Sequence, residues 1–167
     1  MVASKPAFRW VLLAALACLA LPASAQQAFA FGWDPRTGDD TLDARLADIN
    51  QYGDRYREAF VDELVRYHAA PRTLVGALLA DEAWAPGDLY FACALGRAVG
   101  RPCRHVIERW RRGHASGWAE VAGGLGVPPG SDAFGRVIEG VEASYRRWGR
   151  PLPPAESPGD PAPGGDR

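Results

Sequence analysis

Side chains able to do chemistry are few in this chain and widely scattered. His68, His105 and His114 are its histidines, and Cys103-x-His105 is the closest Cys/His pair. A structural zinc site takes about four Cys or His ligands, often as closely spaced pairs. No metal site is therefore expected, and no cofactor. The chain has no Gly-x-Ser-x-Gly elbow, no His-Glu-x-x-His and no phosphate loop. Asp62-Glu63 and Asp81-Glu82 are adjacent pairs, which diverge on a helix instead of facing each other. What stands out is arginine. Residues 97–112 hold six Arg and one acid, Glu108, whereas residues 34–63 hold nine acids and four Arg. The simpler account is an internal complement, with acidic helices lying near the basic one. The sharper account is an Arg-rich face for an anionic partner. Arg101, Arg104, Arg109, Arg111 and Arg112, with the turn at Trp118 beside them, are the candidate binding residues.

Residues 1–25 have the pattern of an export signal. Lys5 and Arg9 precede an apolar run from Trp10 to Leu21; Pro22 breaks it, and Ala23-Ser24-Ala25 offers a small-x-small cleavage site before Gln26. The run falls short of the roughly 20 apolar residues a bilayer requires, so no stable transmembrane helix is expected after cleavage. The expected destination is the periplasm or beyond. Lipid attachment at Cys18 is the lesser alternative. Without Lys5 and Arg9, the 19 basic residues become 17 against 20 acidic, a net charge of −3. Such a chain is not a general binder of nucleic acid or anionic membranes. Cys93 and Cys103 remain, an even pair that in an oxidising compartment favours a disulfide. Two buried thiols are the alternative.

The elements that must position these groups are helical. Residues 26–40 mix Phe29, Phe31 and Trp33 with Asp34-Pro35 and Gly38, and read as an irregular aromatic arm. A helical domain is expected over residues 41–148. Leu42, Leu46 and Ile49 repeat at helical spacing after Asp39 or Asp40 as cap. Gly53 is expected to interrupt, and Asp54 to cap a second helix carrying Tyr56, Phe60, Leu64 and Tyr67 or His68 on one face. Pro71 opens a third helix with Leu74, Val75, Leu78 and Leu79. Pro86-Gly87-Asp88 caps a strongly apolar and central fourth. Gly100-Arg101-Pro102 is a corner before a fifth, with Val106, Ile107 and Trp110 inward. Ser116 is expected to cap a sixth and Ser131 a seventh. No window alternates with period two, so the prediction is an all-α bundle of six or seven short helices. The Pro/Gly-rich residues 149–167 read as a disordered tail.

Ala122, Gly126 and Val127 have the spacing of a DNA-reading helix-turn-helix. Pro128-Pro129-Gly130 lengthens the turn, however, and Asp132 puts negative charge where phosphate would lie. With an export signal in front, nucleic-acid binding is the least favoured function. Ala85-Pro86-Gly87-Asp88-Leu89-Tyr90, Gly100-Arg101-Pro102, and Gly117-Trp118 through Gly130-Ser131 and Phe134 resemble an uncharacterised family of exported bacterial helical proteins. Its members share a Pro-Ala-Asp-x-Tyr segment, a Gly-Lys-Pro-like joint and a Gly-Trp-Gly-x-x-Ala-x-x-Leu-Gly-Ile-x-Pro-Gly-Ser ending. The similarity covers residues 45–140. This chain departs at Gly135, where relatives often carry His, and at Gly123-Gly124. The resemblance implies an exported helical protein and transfers no activity. The expectation is a non-enzymatic binding protein of the bacterial envelope, contacting another envelope protein or a cell-wall component. A small peptidoglycan-related enzyme is the alternative, and a cleft joining Glu120 or Asp88 to a histidine would favour it.

Overall fold

The computed structural model describes residues 33–80 and 84–153. The expected export signal, Cys18, Phe29, Phe31, Asp81-Glu82 and residues 154–167 lie outside those residues. Seven helices account for the described fold: α1 (Asp40–Arg55), α2 (Arg57–His68), α3 (Arg72–Ala80), α4 (Pro86–Ala98), α5 (Cys103–Arg112), α6 (Trp118–Gly124) and α7 (Asp132–Trp148). No strand occurs among the described residues.

α4 is the hub. Leu89, Tyr90, Phe91, Ala92, Cys93 and Leu95 are all fully buried, so this helix is apolar on every side, as a helix enclosed by others must be. α1, α2, α3, α5 and α7 all pack on it. α1 presents Leu42, Leu46 and Ile49, and α7 presents Phe134, Val137, Val141 and Tyr145. Asp39 accepts a hydrogen bond from Leu42 N at 2.8 Å and caps α1. Ser131 accepts from Phe134 N at 3.2 Å and caps α7.

Some boundaries differ from the sequence expectation, each for a physical reason. Gly53 does not interrupt α1. It is buried inside the helix, where a β-carbon would sit 2.5 Å from Pro86 Cβ, so glycine lets α1 approach the start of α4. The break comes at Tyr56 instead, and Asp54 stays in the last turn of α1 without capping α2. Phe60, Leu64 and His68 face inward on α2, while Tyr56 and Tyr67 are exposed. Ser116 does not cap α6. Its N-terminal amides are taken by the arm, since Trp118 N and Ala119 N donate to the carbonyls of Pro35 and Arg36 at 2.9 Å each. Gly117 makes that close approach possible with φ of 85° and no side chain; a β-carbon there would lie 2.6 Å from Arg36 Cβ. The chain beyond α7 also begins less freely than composition suggests. Gly149 ends the helix in a left-handed conformation, and Arg150 then pairs with Asp48 at 2.6 Å.

Cys93 and Cys103 form a disulfide across the corner between α4 and α5. Closing so short a loop is worth about 2.5–3 kcal/mol in the chain-entropy model. Urea unfolding of the Cys93→Ala/Cys103→Ala chain is expected to show that loss. A midpoint insensitive to both the substitution and to reductant would mean that packing alone holds the corner.

Candidate binding surface

The arginines singled out in the sequence cluster on one element. Arg104, Arg109, Arg111 and Arg112 lie on α5, and Arg101 sits in the corner just before it; all five are exposed. Cys103, Val106 and Ile107 are buried against the core, so the helix is sharply two-faced. Three of its arginines occupy the last turn, where positive charge complements the helix dipole. A hollow of about 450 Å³ lies on one flank, lined by Pro71, Arg101, Pro102, Arg104, His105 and Glu108. A second, of about 230 Å³, lies on the other flank between Arg109, Arg112, Gly113, Glu120 and Val121.

Trp118 corrects the expected surface. It is fully buried, stacked on Trp110 with ring centroids 4.0 Å apart and edge-on to Phe91 at 5.3 Å. Its ring supports the arginine helix from beneath and does not line the surface.

Among the described residues, no ion pair joins the acids of residues 34–63 to Arg101, Arg104, Arg109 or Arg112. Some acids in residues 34–63 pair elsewhere: Asp48 with Arg150, Asp62 and Glu58 with Arg72, Asp62 with Arg66, and Glu63 with Arg147. Among the described residues, no ion pair involves Arg101, Arg104, Arg109 or Arg112. α5 packs on α4 and α6, not on the acidic helices. These guanidiniums present planar forks of donors suited to carboxylate or phosphate oxygens.

Two carboxylates, half-buried Asp88 and buried Glu63, have partners that the sequence reading did not foresee. Asp88 does not cap its own helix; its carboxylate accepts from the indoles of Trp118 at 2.6 Å and Trp33 at 2.9 Å. It thereby ties the arm and α6 to α4. Burial pushes its pKa upward, and the two indole hydrogen bonds oppose that. The second group is Glu63, buried in α2. It accepts from Ser144 Oγ at 2.7 Å and from Arg147 Nε at 3.1 Å, and the Tyr90 hydroxyl reaches Ser144 Oγ at 2.7 Å. A signal for it existed: Glu63 stands three residues after Phe60, and Ser144 three after Val141, both inside apolar stripes.

Among the described residues neither carboxylate is hydrogen-bonded to a histidine, although His114 lies close enough to Asp88, and Glu63 to His68, for their charges to interact. His114 stacks on Trp110 and shares a hydrogen bond with the Trp110 carbonyl at 2.8 Å. Glu120 lies among arginines. Ser144 is fully buried and hydrogen-bonded to carboxylate, so it cannot meet a substrate. Among the described residues, no three His, Cys, Asp or Glu side chains gather to hold a metal ion, and no helix is long and apolar enough to cross a membrane.

His68 lies edge-on to Tyr90 at 4.9 Å, with neither ring nitrogen hydrogen-bonded. Burial pulls its pKa from 6.5 down to about 4, partly offset by the charge of Glu63. Between those values the unfolded chain takes up a proton that the folded chain refuses. The associated stability is complete above pH 6.5 and declines as the pH falls toward 4. About 3 kcal/mol is at stake across that window. His68→Phe should flatten the acid limb of a stability–pH curve. An unchanged slope between the two pKa values would show that His68 is not the group titrating.

No family model matches the chain, and no solved structure does. Among curated proteins, the chain is 42% identical over 57 residues to a mitochondrial intermediate peptidase of Aspergillus fumigatus. It is 38% identical over 74 residues to a mitochondrial intermediate peptidase of Aspergillus clavatus. The matches take in 34% and 43% of this chain, and span only 7% and 9% of the length of those relatives.

Proposed function

We propose that this chain is an exported, non-enzymatic binding protein of the bacterial envelope. Its α5 arginines hold an anionic group of another envelope protein or of a cell-wall component. One observation carries the reading: Arg101, Arg104, Arg109 and Arg112 stand exposed without an ion pair among the described residues, while Asp48, Glu58, Asp62 and Glu63 are paired with other arginines. Charge held outward on a rigid, disulfide-tethered helix suits a partner that supplies the counter-charge. The signal pattern of residues 1–25 supports the export part.

Site-specific photo-crosslinking in living cells tests the proposal. A crosslinker replacing Arg104 should capture a partner in the envelope fraction, on a chain whose mature N-terminus is Gln26. The same crosslinker at Ala77, exposed on α3, should capture little. Equal capture at both positions, or an unprocessed cytoplasmic chain, would overturn it.

A further inference from the structure

The proposed binding face invites a search for its complement, and one lies on the same chain. α1 carries an outward stripe of Asp40, Asp43, Ala47, Gln51 and Asp54, at helical spacings of three and four. Asp40, Ala47, Gln51 and Asp54 are exposed, and Asp43 is half-buried. Beside its first turn lies a hollow of about 320 Å³, with Trp33 and Ala44 among its walls; Asp40 supplies its unpaired charge, while Asp34 lies 3.7 Å from Arg36 and Asp43 accepts from Thr37 N at 3.0 Å. An indole beside carboxylates suits a guanidinium, which can lie on the ring and donate to the acids together. The small side chains of Ala44 and Ala47 leave room for a second helix to approach, since the spacing between helices depends on the residues at the contact.

The lengths also agree. At 1.5 Å per residue, Asp40 to Asp54 runs about 21 Å and Arg104 to Arg112 about 12 Å, so the basic stripe lies within the acidic one and its long side chains reach toward the acids at the ends. Within one chain the two cannot meet. Both helices pack on α4, and neither is a principal neighbour of the other. Among the described residues, Asp40 and Asp54 make no ion pair, which matches the state of Arg101, Arg104, Arg109 and Arg112.

We propose that the partner of the α5 arginines is the acidic flank of α1 in a second copy of this chain. This rests on the reading of α5 as a binding face and names its occupant. The contact uses different patches on the two copies, so it closes as a two-fold dimer where both pairs meet at once and otherwise builds rings or filaments. Exposed ion pairs are individually weak and salt-screened. The association is therefore reversible and lost in high salt.

The test is sedimentation velocity on the mature chain (residues 26–167) at low and high ionic strength. Two charge-swapped chains are compared, Arg109→Glu/Arg112→Glu and Asp40→Arg/Asp54→Arg. All four positions are exposed, and circular dichroism checks that each variant folds. Wild type should sediment as species larger than a monomer in low salt and as a monomer in high salt. Each variant alone should be monomeric, with association weakened about tenfold or more. An equimolar mixture should associate again, because each swapped face then meets its opposite. A wild type that is monomeric throughout overturns the proposal, as does association indifferent to the swaps. If wild type is monomeric while a crosslinker at Arg104 still captures an envelope component, self-association is wrong and the binding-protein reading survives.

Discussion

Trp118→Ala is expected to destabilise the folded chain by about 3–5 kcal/mol, the usual cost of truncating a fully buried tryptophan. The indole fills the junction of α4, α5 and α6, against Trp110 and Phe91. Its loss also takes one of two donors from the Asp88 carboxylate, leaving Trp33. That carboxylate is mostly withdrawn from water, so a missing donor adds to the cavity cost. Trp118→Phe separates the two contributions, keeping much of the ring and removing the N–H. It should fall between wild type and the alanine variant in urea unfolding. An alanine variant as stable as wild type would contradict the burial and return Trp118 to the binding surface.

Arg147→Ala is expected to cost about 3 kcal/mol, near the low end for breaking a buried ion pair. The asymmetry of the pair sets that figure. Glu63 has a side chain only 3% exposed, whereas Arg147 keeps 30%. Removing the guanidinium strands a carboxylate in the core with the Ser144 hydroxyl as its remaining donor. Arg147 also lies over the Tyr67 ring at 3.8 Å, which the alanine loses as well. The double variant Glu63→Leu/Arg147→Met removes both charges and should recover most of the stability, because apolar replacements of a buried pair are often neutral. A double variant as unstable as Arg147→Ala would mean that packing around Tyr67, not the stranded charge, is the cause.

How far the sequence could be read depended on the range of the interactions involved. The apolar stripes of α1, α4 and α7, the corner at Gly100-Arg101-Pro102 and the Ser131 cap are local patterns, and all of them are present in the fold. The pairing of Cys93 with Cys103 was favoured over two buried thiols from an even count and an expected oxidising compartment, and the disulfide is formed. What failed was long-range. Trp33 and Trp118 meet at Asp88 across 55 and 30 residues, and Arg147 reaches Glu63 across 84. Nothing in spacing announces such meetings. Capping by the arm's carbonyls was illegible for the same reason: Ser116 is a good cap by type, but the backbone of Pro35 and Arg36 arrived from elsewhere. The arginines of α5 were legible as a cluster. That Asp48, Glu58, Asp62 and Glu63 would pair with other arginines was not.

That last point is the centre of the functional account, and charge reversal on α5 tests it most directly. The chain Arg104→Glu/Arg109→Glu/Arg112→Glu leaves the buried face of the helix and the disulfide untouched, so it should stay folded with a modest fall in Tm from the lost helix-dipole complement. Binding of the immobilised mature chain to envelope extract is measured at low ionic strength and again in high salt. The account predicts that the variant loses capture by about tenfold or more, and that high salt abolishes the wild-type signal in the same way. Capture unchanged by the three reversals would contradict it.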